Sequence, residues 1–228
     1  SLSESFLGNI KDIFIYLICY KSIHKICAHM LGGAGMKEIL DGKVLHQQIN
    51  CFLLKKVGMV IVEGSVNFEM FSRVIDKNKI YIVPNFAEDY LFTNDNEITE
   101  KFSDTSIIRI LYLSNLIPGK GYSELADGYI GLEEAFKNKI NIVFVGGFES
   151  QESENEFLNK IKDYDELNYI GKFIDGEKKR EFYCKSHVFC LPTYYPYEGQ
   201  PISILEAYAS GCVVITTNHS GIPFIFSD

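Results

Sequence analysis

Short runs rich in Val and Ile alternate with helix-period segments along almost the whole chain. That alternation constrains the fold more than any other feature. "GMVIVE" (58–63), "KIYIVP" (79–84), "IIRILYL" (107–113), "INIVFVGG" (140–147), "HVFCLPT" (187–193) and "CVVITT" (212–217) read as strands. "KICAHM" (25–30) and "LNYIGKF" (167–173) read as two more. Between them, 44–57, 66–75, 121–137, 152–163, 176–184 and 201–210 read as helices, and 4–24 as an opening helix whose core face is Phe6, Leu7, Ile10, Ile13, Phe14 and Leu17. Short apolar strands joined through helices form parallel βαβ units with both sheet faces covered, so the expected class is α/β, with two Rossmann-like doubly wound domains. The polar stretch 87–105, "AEDYLFTNDNEITEKFSDT", has no sustained period and reads as their junction, dividing the chain into 1–92 and 93–228.

A chain of 228 residues, 46% hydrophobic, can fill one large or two small cores. Its 22 Lys and Arg against 30 Asp and Glu give a net charge of −8, which disfavours a nucleic-acid partner. The six cysteines show no CxxC spacing and sit in apolar stretches, as reduced core thiols do. The apolar run "IFIYLICY" (13–20) is far shorter than the ~18–20 residues of a membrane span. No signal peptide is legible, and no solenoid-period repeat. The chain opens on Ser1 directly into helix-like sequence, as a fragment would.

Parallel sheets bind ligands at the carboxyl ends of their strands, so the loops that follow strands carry the functional reading. In "SNLIPGKGYSEL" (114–125), Lys120 stands between Gly119 and Gly121 just before a helix. Glycines admit close backbone approach, a helix start adds partial positive charge and the lysine a full one, which together suit a diphosphate. The same residues fit an exposed turn, and the Walker pattern is not matched. "GGAG" (32–35) and "VGG" (145–147) fit simple strand-to-helix turns equally well.

"YEGQPISILEA" (197–207) places Glu198 before a helix start and Glu206 inside the helix. Pro201 suits the first turn, with Gln200 at the cap and Ile202, Leu205 and Ala209 as the buried face. A carboxylate among apolar neighbours is costly unless it accepts strong hydrogen bonds, and sugar or ribose hydroxyls are suitable donors. Compensation of the helix dipole is the alternative.

Taken together and in this order, Lys120, Gly146 and Gly147, and the Glu198-x7-Glu206 pair resemble the nucleotide-sugar-binding half of retaining GT-B glycosyltransferases of family 4. "VPNFAEDYLF" (83–92) and "ILEAYASGCVVITTNHSGIP" (204–223) resemble further stretches of that family. The resemblance implies that Glu198 lies beside the transferred sugar and that Glu206 holds the ribose. It implies that Lys120 neutralises the diphosphate, that Gly146 and Gly147 give the nucleotide close approach, and that His29 meets the sugar from the first domain. Gly119, Gly199, Gln200 and Ile202 fall in the stretches that line the donor. Two departures stand out: Asn115 occupies the place where the family has an Arg, and Phe224 follows Gly-Ile-Pro where the family has Glu.

The activity so implied is transfer of a hexosyl-type unit, with retention, from a nucleoside diphosphate sugar, UDP- or GDP-linked, to a hydroxyl of a saccharide or lipid-linked acceptor. The setting implied is cytoplasmic polysaccharide or lipid-linked glycan assembly, with peripheral association at the inner membrane face through the first domain. No separate cofactor is called for. No metal is expected either, since the only DxD-like string, "DYDE" (163–166), falls at a charged helix end and no His/Cys/Asp cluster has ligand spacing. An inactive nucleotide-sugar-binding paralogue, an epimerase of the same architecture and a phosphorylase are the alternatives. The resemblance also implies a first domain entered part-way and a second that stops before its closing helices.

Overall fold

Continuous apolar runs too short for helices become strands here, and all of them pair in parallel. The computed structural model describes residues 1–228 apart from 33, 43, 173, 227 and 228, and of 34, 44 and 224 it describes the backbone alone. Gly33 of the "GGAG" stretch, Phe173 at the end of the expected strand 167–173, and the side chain of Phe224 therefore lie outside the described residues.

The chain divides into two compact units. The first comprises Ser1–Asn85, Pro196–Gln200 and Asn218–Asp228; the second comprises Phe86–Tyr195 and Pro201–Thr217. The division falls at 85/86, not at 92/93 as the sequence suggests. The reason is local bonding. Tyr90 O accepts from Arg180 Nε at 2.8 Å, Leu91 O from Ser210 Oγ at 3.0 Å, and Thr93 N donates to Ala209 O at 3.0 Å, so 90–93 belong to the second unit.

In the first unit, strands β1 (Cys27–His29), β2 (Met59–Val62) and β3 (Ile80–Ile82) form a parallel sheet in that order. It packs with helices α1 (Phe6–Ile18), α2 (Ala34–Leu40), α3 (Val44–Leu54) and α4 (Ser65–Ser72). Met30, Met36, Leu53, Leu54, Val60 and Phe71 are fully buried in one hydrophobic cluster. Helix α1 is turned relative to expectation. Phe6, Leu7, Phe14 and Leu17 are exposed, and the buried positions are Asn9, Asp12 and Tyr16. Apolar residues lie on more than one side of this helix, so period alone does not select a face. Its polar residues can face inward because they are satisfied: Asn9 and Asn50 exchange two amide hydrogen bonds of 2.9 Å, and Asp12 accepts the Ser3 N–H at 2.7 Å.

The second unit holds a five-stranded parallel sheet in the order β6-β5-β4-β7-β8. Its strands are β4 (Ile108–Leu113), β5 (Ile140–Val145), β6 (Leu167–Tyr169), β7 (Val188–Leu191) and β8 (Val213–Thr216). The chain winds outward from β4 to β6, then returns to β4's other side for β7 and β8, the doubly wound Rossmann-like topology. Helices α8 (Gln151–Ile161), α9 (Gly176–Lys185) and α10 (Ile202–Ala209) lie close to expectation. The single helix expected over 121–137 is instead two, α6 (Tyr122–Ile130) and α7 (Glu134–Lys137), with Gly131 ending the first.

The expected junction also contains a helix, α5 (Asp95–Lys101). It starts with a capping box: the Asn94 side chain accepts from the Asn96 and Glu97 N–H groups while Glu97 accepts from Asn94 N. It ends at Lys101, buried, whose ammonium donates to the carbonyls of Tyr183 at 3.1 Å and Ser210 at 2.5 Å. Helix α10 is turned as well: Ile204, Glu206 and Ala207 are buried, and Ile202 is 48% exposed. Of the six free cysteines only Cys190 and Cys212 are buried, while Cys19 and Cys27 are exposed.

His187 ties β4 to the end of α5. Its Nδ1 accepts the Arg109 N–H at 3.1 Å, which leaves no proton on that nitrogen, and its Nε2 lies 2.9 Å from Lys101 O and 2.7 Å from Arg109 Nη2. Burial, then the Arg109 charge, holds its pKa below the ordinary value. Because the folded state disfavours the protonated ring, the stability this residue contributes is complete above the ordinary histidine pKa of about 6.5 and is lost as pH falls below it. Thermal unfolding followed from about pH 7.5 to about pH 5 should show a decline that His187→Gln, offering one donor and one acceptor, largely lacks.

Candidate functional site

The strand order β6-β5-β4-β7-β8 makes the β4/β7 boundary the switch point of the second sheet, where loops from neighbouring strands diverge and leave a crevice. Gly119 and Lys120 follow β4 on one side of it, and Thr193–Tyr195 follow β7 on the other. Tyr194 N donates to Gly119 O at 2.7 Å, and the Lys120 ammonium sits 5.0 Å from the Tyr195 ring centroid. Lys120 directly precedes Gly121, the N-cap of α6, so the residue stands one position before the positive end of that helix.

Gly146 and Gly147 follow β5 and are drawn against the β4 loop: Leu116 N donates to Gly147 O at 2.9 Å. Gly146 has φ +148°, and a Cβ there would overlap the Ser114 carbonyl oxygen, so no other residue permits this approach. The sequence-predicted Gly119, Lys120, Gly146 and Gly147 are thus assembled on one edge of one unit. Asn115, at the place of the expected second cation, is exposed in the same loop.

Glu206 is 5% exposed on α10 and already bonded. Oε1 accepts from Lys179 Nζ at 2.7 Å and Oε2 from Tyr183 OH at 3.0 Å. Burial, then the Glu206 charge, pushes the Tyr183 phenol far above its ordinary pKa, so it remains a donor. Burial works to lower the Lys179 pKa, but its hydrogen bond and charge contact with Glu206 hold it above the ordinary value. A carboxylate has about four acceptor sites, so the two bonds leave room for two more donors. Neither partner was foreseen. Lys179 stands in a "GEKKRE" run that reads as a solvated helix face, and only its four-residue step to Tyr183 hints that both share a side of α9.

The first unit encloses a cavity of about 600 Å³ whose walls include Gly32, Glu63, Asn67, Arg73, Glu198 and Gln200. Glu198 is buried, and Gly199 lines the same cavity. His29, at the end of β1, is half-buried and is not among the residues lining it. Ile202 belongs to the second unit and is exposed. Glu63 is the residue that sequence reasoning missed: a carboxylate ending a run of four apolar strand residues, at the carboxyl end of β2, is the signal that marks it. Among the described residues no group of three or more His, Cys, Asp or Glu is placed to hold a metal ion, and no helix is long and apolar enough to cross a membrane.

The family model for glycosyl transferases group 1 matches residues 94–228. The mannosylfructose-phosphate synthase of Agrobacterium fabrum is 29% identical over 194 residues, which are 79% of this chain and 41% of that protein. Among solved structures, Anabaena HepE in complex with UDP-glucose superposes with a TM-score of 0.68 at 14% identity, over 96% of this chain and 60% of that one. WaaG, a glycosyltransferase involved in lipopolysaccharide biosynthesis, does so with a TM-score of 0.64 at 12% identity, over 98% of this chain and 68% of that one. These likenesses show the fold, that of the GT-B glycosyltransferases. The chain spans less than half of the curated relative and about 60% of HepE.

The buried Lys179–Glu206 pair generates a stability prediction. Lys179→Met removes one partner and leaves a carboxylate out of water, so denaturant unfolding should show a loss of about 3–5 kcal/mol. Lys179→Met with Glu206→Met removes both charges and should recover most of it.

Proposed function

The chain belongs to the glycosyl transferases group 1 family, and from that premise we propose that it serves a transferase that moves a hexosyl-type unit from a nucleoside diphosphate sugar, UDP- or GDP-linked, to a hydroxyl of a saccharide or lipid-linked acceptor, with retention at the anomeric carbon. The observation that carries this reading is the second unit's switch point, where Lys120 and the α6 N-terminus stand at the carboxyl edge of β4 beside the close-approach glycines after β5.

The difficult step is departure of the diphosphate, on which negative charge grows. A lysine and backbone N–H groups already fixed in place lower that barrier because they need no reorganisation as the charge develops. Lys120 and the start of α6 take this role. Gly146 and Gly147 let the nucleotide come close to the backbone. Glu206, hydrogen-bonded to Lys179 and Tyr183, offers its remaining acceptor sites to the ribose hydroxyls. In the same reading Glu198 and His29 are the residues that contact the transferred sugar. The chemistry needs no metal in this reading, so EDTA should leave turnover intact. The setting we assign is cytoplasmic polysaccharide or lipid-linked glycan assembly.

A screen of the full-length protein against nucleotide sugars, with released nucleoside diphosphate measured with and without acceptors, tests the assignment. Donor bound but never turned over would identify a binding module instead, and donor converted without acceptor an epimerase. With the donor known, Glu198→Gln should lower kcat by about 10²-fold or more, and wild-type turnover in that variant would sink its role. Lys120→Ala should weaken a nucleoside diphosphate by about 1.5–3 kcal/mol, roughly ten- to hundredfold, and the bare nucleoside hardly at all. Equal weakening of both ligands in calorimetric titrations would contradict the phosphate contact.

A further inference from the structure

The Glu63 carboxylate has no part in the donor contacts assigned above, yet it is 5% exposed and three segments of the first unit converge on it. Its Oε1 accepts the Asn85 side-chain amide at 3.1 Å. Its Oε2 lies 3.5 Å from the backbone nitrogen of Gly32 and 3.5 Å from that of Gln200. Asn85 Nδ2 also donates to the Gln200 carbonyl at 2.9 Å. Gln200 is therefore held at both ends of its backbone, its N–H by the residue that follows β2 and its carbonyl by a residue beyond β3.

Gly199 completes the arrangement. A Cβ at that position would stand 2.7 Å from Glu63 Oε2 and 2.9 Å from Gly32 Cα, so only glycine lets the segment lie this close. On the other side, Ser220 Oγ donates to the Glu198 carbonyl. Glu198 thus leads a short stretch whose backbone is fixed before and after Gly199. Glu63 is the one charged group among those fixing contacts, and a buried carboxylate surrounded by donors holds them more strongly than a neutral acceptor would.

We propose that Glu63 is the positioning residue for Glu198: its carboxylate, at the carboxyl end of β2, fixes the Gly199–Gln200 backbone and so sets where the Glu198 side chain stands in the cavity they share. This rests on the reading of Glu198 as the group beside the transferred sugar. Glutamine at position 63 keeps the volume but turns one face into a donor, opposite N–H groups that are themselves donors, and so releases the segment. Aspartate keeps the charge and shortens the reach.

The test compares wild type, Glu63→Gln, Glu63→Asp, Glu198→Gln and the Glu63→Gln/Glu198→Gln double variant of the full-length protein, with a nucleotide sugar that the wild type turns over. Glu63→Gln should lower kcat by about 10- to 10²-fold while nucleoside diphosphate affinity is unchanged, because misplacement of a group by even about 1 Å costs that much. Glu63→Asp should recover part of the loss. In the Glu198→Gln background the Glu63 change should add little, since residues that act through one another are not additive. Wild-type kcat in Glu63→Gln, or an equal loss in both backgrounds, overturns the proposal. Wild-type turnover in Glu198→Gln overturns the underlying reading instead. If Glu63→Gln fails to fold, Asn85→Ala frees the Gln200 carbonyl from the other side, and the same loss confined to the Glu198 background is required of it.

Discussion

Parallel pairing of β4 with β5 on one side and β7 on the other is the constraint on which the second unit depends. Because every strand of the sheet points the same way, every loop leaving a strand's carboxyl end emerges on one edge. Lys120, the Gly146–Gly147 turn and the Thr193–Tyr195 loop are far apart in sequence, and only this pairing gathers them. Had β4 been an edge strand, its loop would have had a neighbour on one side alone. The cost of the gathering is steric, and Gly146 meets it by having no side chain where the Ser114 carbonyl passes.

Both units also carry polar groups in their interiors, and in each case the structure supplies the partners. Asn9 faces Asn50, Lys101 meets two carbonyls, Lys179 meets Glu206, and His187 bridges Arg109 and Lys101. None of these would be favourable alone, since burying an unmet polar group costs more than a typical hydrogen bond contributes. Among the described residues Lys101 has no carboxylate as a hydrogen-bond acceptor; Tyr183 and Ser210 stand at the carboxyl ends of α9 and α10, so two helix dipoles share in meeting its charge.

What was legible in the sequence follows from what short-range patterns encode. Val/Ile runs announced the strands because short β-branched runs bounded by turn residues mark parallel strands, and the switch-point glycines were visible because they stand in the loops that directly follow those runs. Helix faces were not legible in α1 and α10, where apolar residues occur on several sides and the choice is made by distant partners such as Asn50 and Lys179. Helix α5 was hidden in a polar stretch, though Asn94 and Glu97 carried a capping signal three residues apart. Glu63 was passed over for a different reason: its place at the end of an apolar strand run can be read, but the convergence of Gly32, Asn85 and Gln200 on it is not reported by sequence spacing.

The way the chain is shared between the two units limits how the molecule can be taken apart. It passes from one to the other at 85/86, 195/196, 200/201 and 217/218, so neither unit is a continuous stretch. A gene cut once near the first passage and expressed from residue 86 would still carry foreign segments, and one stopped at 195 would lose α10 and β8, the strand paired with β7. Dissection into independent halves therefore calls for splicing: Tyr195 joined directly to Pro201, and the five residues of Pro196–Gln200 carried over to the other half. Loop grafting between relatives meets the same rule, because the "YEGQPISILEA" stretch changes allegiance after Gln200 and cannot be exchanged as one cassette without altering both partners at once.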